Sequence, residues 1–388
     1  MKCLLNNWKI PLYKILVDES DVQAVSKVIK RGTEWAIGPE IEEFENLLAN
    51  YVGCEYCLAF NSGTSALHAA LIAAGVKGGN EIIIPSFTFI ATSNSVLMVD
   101  AIPKFVDIEE ETLGLDPLLL ESAITKKTKF VMPVHYAGLP CKIQEIATIT
   151  KDSKIGLIED AAESLGSKIG KRMVGTFGEL SVFSFAGNKV VTSGEGGAIT
   201  TNSRQLFEKL KLIRSHGRVD KQNYFSSISK PDYVTLGYNW RMSSITAALA
   251  MSQLRKIEKL IKLRRKNAAY LSSRLSKIEN VRIPPEPAGF RHVYQLYSIR
   301  LPNTTMRNQL IQFLAKKGIM SKVFFHPIHL TSFYKKMRFT RTDMLKVTET
   351  ISDQILSLPL YPSMVKKELD YICNAVEEFM NFKKNKIT

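Results

Sequence analysis

Three short polar stretches, each following a predicted strand, carry residue types that suit the binding of a small anionic ligand. The first, NSGTSAL, places Gly63, Thr64 and Ser65 between the strand CLAF and a helix. Free backbone N–H groups and the helix dipole favour an anion there, above all a phosphate, although serine and threonine are also common helix caps. Neither a Walker loop nor a GxGxxG fingerprint is present, which indicates a small phosphorylated ligand.

The second stretch, IEDAAES, places acids at the end of the predicted strand KIGLI. Asp160 there suits a helix cap, a metal ligand or the partner of a cationic ring nitrogen. The six histidines are dispersed, and the five cysteines form no paired set with metal spacing, so we expect no metal and reduced thiols. For Asp160 alone, the capping alternative stays open.

The third stretch, SFAGNKVVTSGEGG, carries one lysine in the turn after a strand that ends near Ser184. Ligands of open α/β sheets gather beyond the carboxyl ends of the strands, so Thr64, Asp160 and Lys189 are expected to face one cleft. An anion nest, a carboxylate and an amine match the phosphate, pyridine nitrogen and aldehyde of pyridoxal phosphate. Together the three stretches predict a site for that cofactor.

Strand-like and helix-like segments alternate over about the first 250 residues, and these elements must position the three groups. The alternation predicts an α/β fold with a mainly parallel sheet. Near-continuous apolar strands such as EIIIP suit a sheet covered on both faces. A long helical run begins after Arg241, and we place a domain boundary inside it. The expected domains are residues 1–255, a large ligand-binding unit, and residues 256–388, a smaller α+β unit.

The net charge of +15 leaves nucleic acid, anionic membranes and anionic small molecules open as partners. The basic residues lie in short scattered clusters without an interleaved aromatic RNA-binding signature. No apolar run is long enough to span a bilayer or to form a signal peptide. We therefore expect a cytoplasmic protein.

The order of seven segments resembles that of the DegT/DnrJ/EryC1/StrS aminotransferases, which aminate nucleotide-linked keto sugars with pyridoxal phosphate. The segments are NSGTSALHAAL, PSFTFIATSNSV, PVHYAG, IEDAAES, SFAGNKVVTSGEGGA, GYNWRMSSITAAL and LPLYPS. The resemblance extends from about Ile10 to about Met380. It implies a fold type I large domain, a homodimer with shared active sites, and neither nucleic acid nor membrane as a partner.

The resemblance also implies roles for individual residues. Lys189 matches the Schiff-base lysine, Asp160 the partner of the pyridine nitrogen, Glu163 the position beside the ring hydroxyl, and Phe89 the aromatic side chain that stacks on the ring. Related sugar 3-dehydratases carry histidine at the lysine position. The lysine found here therefore favours transamination over dehydration.

Phosphate and substrate contacts follow from the same resemblance. The residues that match phosphate contacts are small or carry hydroxyls: Gly63, Thr64, Ser65 and Ser184. Asn239 matches an asparagine that reaches the phosphate of the neighbouring subunit. His329 matches a segment near the sugar, or is a buried structural histidine. Apart from the resemblance, Arg241 follows Asn239 closely, and we expect it either to meet a substrate phosphate or carboxylate or to pair with an acid at the dimer interface.

The segment TSGEGG is similar to the TTGEGG of relatives that act at the sugar C4 or make aminocyclitols, and AGNK is similar to the FGNK of perosamine synthases. We therefore expect transfer of an amino group from glutamate to C4 of a nucleotide-linked 4-keto-6-deoxy sugar by a ping-pong mechanism. The alternatives are an aminocyclitol-forming enzyme and a C3-acting sugar aminotransferase. A more remote alternative is a non-enzymatic regulator or nucleic-acid-binding protein with the same fold.

Overall fold

The structure is a computed structural model that describes residues 8–219, 230–337 and 345–384. Within these residues, seven strands form the main sheet: β1 Tyr56–Phe60, β2 Glu81–Pro85, β3 Ile102–Val106, β4 Thr128–Val131, β5 Gly156–Asp160, β8 Leu180–Ser184 and β9 Gly197–Thr201. Their order across the sheet is β1-β9-β8-β5-β4-β2-β3. Only β9 runs against its neighbours, so the predicted α/β fold with a mainly parallel sheet is confirmed.

Helices cover both faces of this sheet. They are α1 Glu19–Arg31, α2 Pro39–Val52, α3 Gly63–Ala73, α4 Ile90–Leu97, α5 Pro117–Ala123, α6 Ile143–Asp152, α7 Arg204–Arg214 and α8 Ser244–Arg255. Ile82 and Ile84 of β2 pack in the same cluster as α3, α4 and α7, whereas Ile83 packs with α5 and α6. Because successive side chains of a strand point to opposite faces, the apolar run EIIIP supplies both cores.

The predicted long helix after Arg241 is in fact two helices. Helix α8 ends at Arg255, and α9, Ile257–Leu275, begins after Lys256, whose φ and ψ are −111° and 14°. The buried carboxylate of Asp21 in α1 accepts hydrogen bonds from Gln253 at 2.9 Å and from Lys256 at 2.6 Å. The break is therefore fixed by contacts with α1.

The remainder of the chain forms the smaller α+β unit. It contains α9, β11 Tyr297–Arg300, α10 Thr304–Lys316, α11 Lys346–Gln354, β12 Ile355–Leu358 and α12 Lys366–Lys384, with β11 and β12 antiparallel. A separate three-stranded sheet joins the two parts and is made of β6 Lys168–Ile169, β7 Arg172–Met173 and β10 Phe290–Arg291. The division at residue 255 stays a prediction. No helix in the described ranges is both long and apolar enough to cross a membrane.

Candidate active site

The start of α3 forms the first part of the site. The N-cap is Ser62: its hydroxyl accepts the Ser65 backbone N–H at 3.0 Å, and the Ser65 hydroxyl accepts the Ser62 N–H at 3.2 Å. Ser65 Oγ also lies 2.6 Å from Asn61 Oδ1. The N–H groups of Gly63 and Thr64 belong to the first helical turn and have no intrahelical acceptor. These two N–H groups therefore offer an anion site at the end of β1.

The backbone of α3 comes close to the end of β8. A Cβ at Gly63 would lie 3.1 Å from Ser184 Cβ and 3.2 Å from Ser184 Oγ, and a Cβ at Gly197 would lie 2.3 Å from the Ser62 carbonyl oxygen. This closeness follows from the sheet register, in which Gly197 is opposite both Phe60 and Ser184. The small residues thus hold the Ser184 hydroxyl beside the first turn of α3, in an arrangement that suits a phosphate.

Asp160 ends β5 at the same sheet edge and is 3% exposed. Its carboxylate accepts a hydrogen bond from Thr92 Oγ1 at 2.7 Å and one from the Ala162 N–H at 3.2 Å. Burial raises the pKa of this carboxyl, while the bonds from Thr92 and Ala162 and the charge of Lys189 act in the opposite direction. A cationic ring nitrogen beside the carboxylate would stabilise its charged form.

Lys189 lies in the turn after β8, and its side chain is 14% exposed. Its Nζ is 3.4 Å from Glu163 Oε1, and Glu163 Oε2 accepts the Ala137 N–H at 2.9 Å. The turn is held from the smaller unit, because Gln295 Nε2 donates to the Asn188 carbonyl at 2.7 Å. The structure thus brings Lys189 and Glu163 into direct contact.

Aromatic side chains line the opening of this cleft. Phe89 precedes α4 and is 59% exposed, so within this chain most of the residue is open to a planar ligand. Its ring centroid lies 6.2 Å from that of Phe325 in the smaller unit, and Phe325 lies 6.1 Å from the ring of Tyr136. The larger and smaller units therefore both contribute to the walls.

Asn239 and Arg241 lie near the carboxyl end of β1. Asn239 is exposed, and its carbonyl accepts from Asn61 Nδ2 at 3.4 Å. Arg241 pairs through its backbone with Phe60 and donates from Nη1 to Ser215 Oγ at 3.0 Å. Burial, followed by the charges of Arg218 and Arg214, lowers the pKa of Arg241. Arg214 already pairs with Glu45, but the like charges around Arg241 still favour an anionic ligand nearby.

His329 is buried against the end of β2 and has partners on both ring nitrogens. Nδ1 lies 2.7 Å from Ser86 Oγ, and Nε2 lies 3.2 Å from Glu349 Oε1. Burial lowers the pKa of the imidazole, against the effect of Glu349. This geometry favours the structural interpretation of His329, and a substrate contact stays a prediction.

Sequence reasoning did not assign Thr92 or Gln295, although both touch the predicted site. Thr92 lies in the quoted segment PSFTFIATSNSV, four residues after Thr88, and its hydroxyl is 2.9 Å from that of Thr88. This helical spacing was an available signal for a polar face. Gln295 is 107 residues from Asn188, and no local pattern connects the two.

The donor set of the site fits pyridoxal phosphate. A cradle of small residues and N–H groups lies at the end of β1, a buried carboxylate at the end of β5, and an amine after β8. These strands run in one direction, so all three groups lie at one edge of the sheet. Gly63, Thr64 and Ser184 would hold the phosphate, Asp160 the ring nitrogen and Lys189 the aldehyde carbon.

Comparison with known proteins agrees with this site. Residues 16–377 match the model of the DegT/DnrJ/EryC1/StrS aminotransferase family. GDP-perosamine synthase of Caulobacter vibrioides is 36% identical over 353 residues, which cover 90% of this chain and 92% of that protein. The structure of Helicobacter pylori PseC, an aminotransferase involved in the biosynthesis of pseudoaminic acid, superposes with a TM-score of 0.90 at 28% identity, covering 96% of this chain and 99% of that one.

A further similar solved structure is the PLP-form of a sugar aminotransferase. The PLP-form of the putative sugar aminotransferase Spr1654 from Streptococcus pneumoniae has a TM-score of 0.88 at 26% identity, covering 96% of this chain and 98% of that one. The family model spans both the large sheet and most of the smaller unit, so the similarity is not confined to the ligand-binding edge. The chain therefore belongs to the DegT/DnrJ/EryC1/StrS aminotransferase family.

Proposed function

We propose that this sugar aminotransferase moves an amino group from glutamate to C4 of a nucleotide-linked 4-keto-6-deoxy sugar. The observation that carries the proposal is the position of Lys189, whose amine contacts Glu163 at 3.4 Å at the sheet edge that also holds Asp160 and the anion cradle. The similarity to GDP-perosamine synthase and the TSGEGG segment support C4 of a nucleotide sugar.

Bound pyridoxal phosphate supplies an aldehyde that carries the amino group between the two substrates and a ring that withdraws electrons from the reacting carbon. The residues of the chain divide the remaining work. Gly63, Thr64 and Ser184 bind the phosphate, and the Asp160 carboxylate holds a proton on the ring nitrogen. Lys189 Nζ takes and returns the proton at the carbon that carries nitrogen, and Glu163 orients that amine.

The charge of the chain suits the substrates of this reaction. The two carboxylates of glutamate and the diphosphate of a sugar nucleotide are anions, and a net charge of +15 steers anions toward the protein. Arg241, whose backbone pairs with Phe60 at the end of β1, would receive one of these groups. Ping-pong kinetics follow because the enzyme would keep the amino group after the first product leaves and before the second substrate binds.

Replacement of Lys189 tests the proposal directly. Lys189→Ala is expected to remove both the visible absorbance of the bound cofactor and all turnover. Lys211→Ala is the matched control, since that lysine is 42% exposed on α7 and contacts Glu208 of the same helix. A Lys189→Ala protein that keeps the absorbance and the activity would exclude this residue as the amine.

The substrate is tested with a panel of UDP-, GDP- and dTDP-linked keto sugars beside a keto-inositol. The C4 proposal predicts a 4-amino-4,6-dideoxy sugar from one nucleotide series. Turnover of the keto-inositol alone would support the aminocyclitol alternative. A protein without visible cofactor absorbance that binds DNA in a salt-sensitive way would support the regulator alternative.

The proposed homodimer with shared sites is tested by mixing inactive subunits. Lys189→Ala removes the amine, and Asn239→Asp places a negative charge where the resemblance implies a phosphate contact across the dimer. If the sites are shared, a mixed dimer contains one intact site, so activity returns on mixing. If each chain builds its own site, mixing restores nothing.

A further inference from the structure

A fully buried carboxylate, Glu159, directly precedes Asp160 on β5 and has no part in the reaction described above. Successive side chains of a strand point to opposite faces of a sheet. Glu159 therefore lies on the side away from the Asp160 carboxylate, with an exposed fraction of 0%. A buried acid in this place needs an explanation, because burial of an unsatisfied carboxylate is costly.

Among the described residues, five donors converge on the Glu159 carboxylate. Oε2 accepts from His135 Nε2 at 3.2 Å and from the Gly175 N–H at 2.9 Å, while Oε1 accepts from the Phe177 N–H at 2.6 Å, the Gly178 N–H at 2.8 Å and Ser181 Oγ at 2.9 Å. Burial raises the pKa of this carboxyl, but the bonds from His135 and from the backbone outweigh burial and keep the pKa below its usual value. Glu159 is therefore an ionised carboxylate whose two oxygens both have all the hydrogen-bond donors they can accept.

His135 contacts both acids of β5. Its Nδ1 accepts the Cys141 N–H at 3.1 Å, which requires the ring proton to lie on Nε2, the nitrogen that faces Glu159. Its backbone N–H donates to the Asp160 carbonyl at 3.2 Å, and the Asp160 N–H donates to the Pro133 carbonyl at 3.0 Å. The residues after β4 thus hold the backbone of Asp160, while the His135 ring holds its neighbour.

We propose that Glu159 and His135 are positioning residues that fix the Asp160 carboxylate against the ring nitrogen of the cofactor. The inference rests on the proposed role of Asp160. Glu159 ties the end of β5 to β8 through Ser181 and to the turn before β8 through Gly175 and Gly178. With the backbone fixed in this way, the Asp160 carboxylate is held within the small tolerance that such a contact allows.

The test is a double-mutant cycle on the affinity of the apoprotein for pyridoxal phosphate. His135→Asn keeps an acceptor for the Cys141 N–H but removes the donor to Glu159, so we expect about tenfold weaker binding in the parent. In the Asp160→Asn background, His135→Asn should weaken the binding of pyridoxal phosphate by less than about twofold, because the carboxylate that His135 helps to position is already absent. His135→Gln, which retains a donor near the Nε2 position, should recover most of the affinity. Ser181→Ala removes one donor and is a milder variant for the same cycle.

A control separates positioning from general stability. Asp21→Asn alters another buried carboxylate, which anchors the start of α9, and should lower the unfolding midpoint without changing the affinity for pyridoxal phosphate. Equal losses of affinity from His135→Asn in both backgrounds would overturn the inference and leave the role of Asp160 intact. Unchanged affinity in Asp160→Asn itself would overturn the role of Asp160 and this inference with it.

Discussion

A substitution at Gly63 is expected to weaken the binding of the cofactor phosphate while leaving the stability of the fold almost unchanged. It is the first residue of α3, and its backbone is outside the left-handed region, so alanine can adopt the same conformation. The added Cβ would lie 3.1 Å from Ser184 Cβ and 3.2 Å from Ser184 Oγ, closer than ordinary contact. Ser184 must then move by a few tenths of an ångström and turn its hydroxyl away from Gly63, so we expect the hydroxyl to lose its hydrogen bond to the phosphate.

The magnitude follows from one displaced hydrogen bond. A bond to a charged group contributes about 1.5–3 kcal/mol, so Gly63→Ala should weaken the binding of pyridoxal phosphate by roughly 10- to 150-fold. The free energy of unfolding should change by less than about 1 kcal/mol, because the crowding is offset by the lower backbone entropy of alanine in the unfolded chain. Affinity and stability should therefore respond very differently.

The assay titrates the apoprotein with pyridoxal phosphate and, separately, with pyridoxal, which lacks the phosphate. Only the first affinity should fall. Gly78→Ala is the matched control, since its Cβ would meet the nearest atom, Asp100 Cβ, at an ordinary 3.6 Å. If Gly63→Ala weakens both ligands by the same factor, or neither, the phosphate is not bound at the start of α3.

Three further predictions concern the fold around the site. The Asp107 carboxylate accepts the Val347 and Thr348 N–H groups at 2.9 and 2.8 Å and so caps the start of α11. Asp107→Ala should therefore lower the free energy of unfolding, measured in urea, by about 1–2 kcal/mol. An unchanged free energy of unfolding would show that α11 needs no cap. His329→Leu should lower the unfolding midpoint while the KM for the sugar stays constant; a raised KM with unchanged stability would instead place His329 at the substrate. Burial raises the pKa of Asp160, so ionisation reduces apoprotein stability as the pH rises above 3.8. Asp160→Asn should therefore gain stability relative to the parent as the pH rises above 3.8, and a constant difference would contradict the raised pKa.

The parts of the site that the sequence predicts are those fixed by sheet topology. Thr64 and Lys189 follow strands and Asp160 ends one, and parallel strands end at one edge, so their common location required only the identification of β1, β5 and β8. The glycines after Lys189 are residue types that permit a chain reversal, and β9 runs antiparallel to β8. These inferences need no knowledge of distant contacts.

Other features depend on partners far away in the chain. The apolar spacing continues through residues 244–275, so the pattern gave no reason for the break at Lys256, which depends on Asp21 at a separation of 235 residues. The segment KFVMPVHYAG contains apolar residues typical of a longer strand, but β4 ends at Val131 because Pro133 has no N–H to donate. Beyond it, Val134 forms only an isolated bridge to Asp160. Periodicity describes a segment, whereas these endings depend on the segment's neighbours.

Glu159 and Asp160 are consecutive acids of β5, but only the role of Asp160 as a ligand contact could be predicted from the sequence. The hydrogen bonds of Glu159, which hold the strand end in place, could not. The period of two along a strand allows only one of Glu159 and Asp160 to face the ligand cleft, and the position at the strand end favours Asp160. The donors to Glu159 come from the turn before β8 and from His135, and no pattern of residue types connects those segments to β5. A carboxylate that contacts the ligand can thus be predicted from its position at the end of a strand. The groups that hold the strand end in place are revealed only by three-dimensional structure.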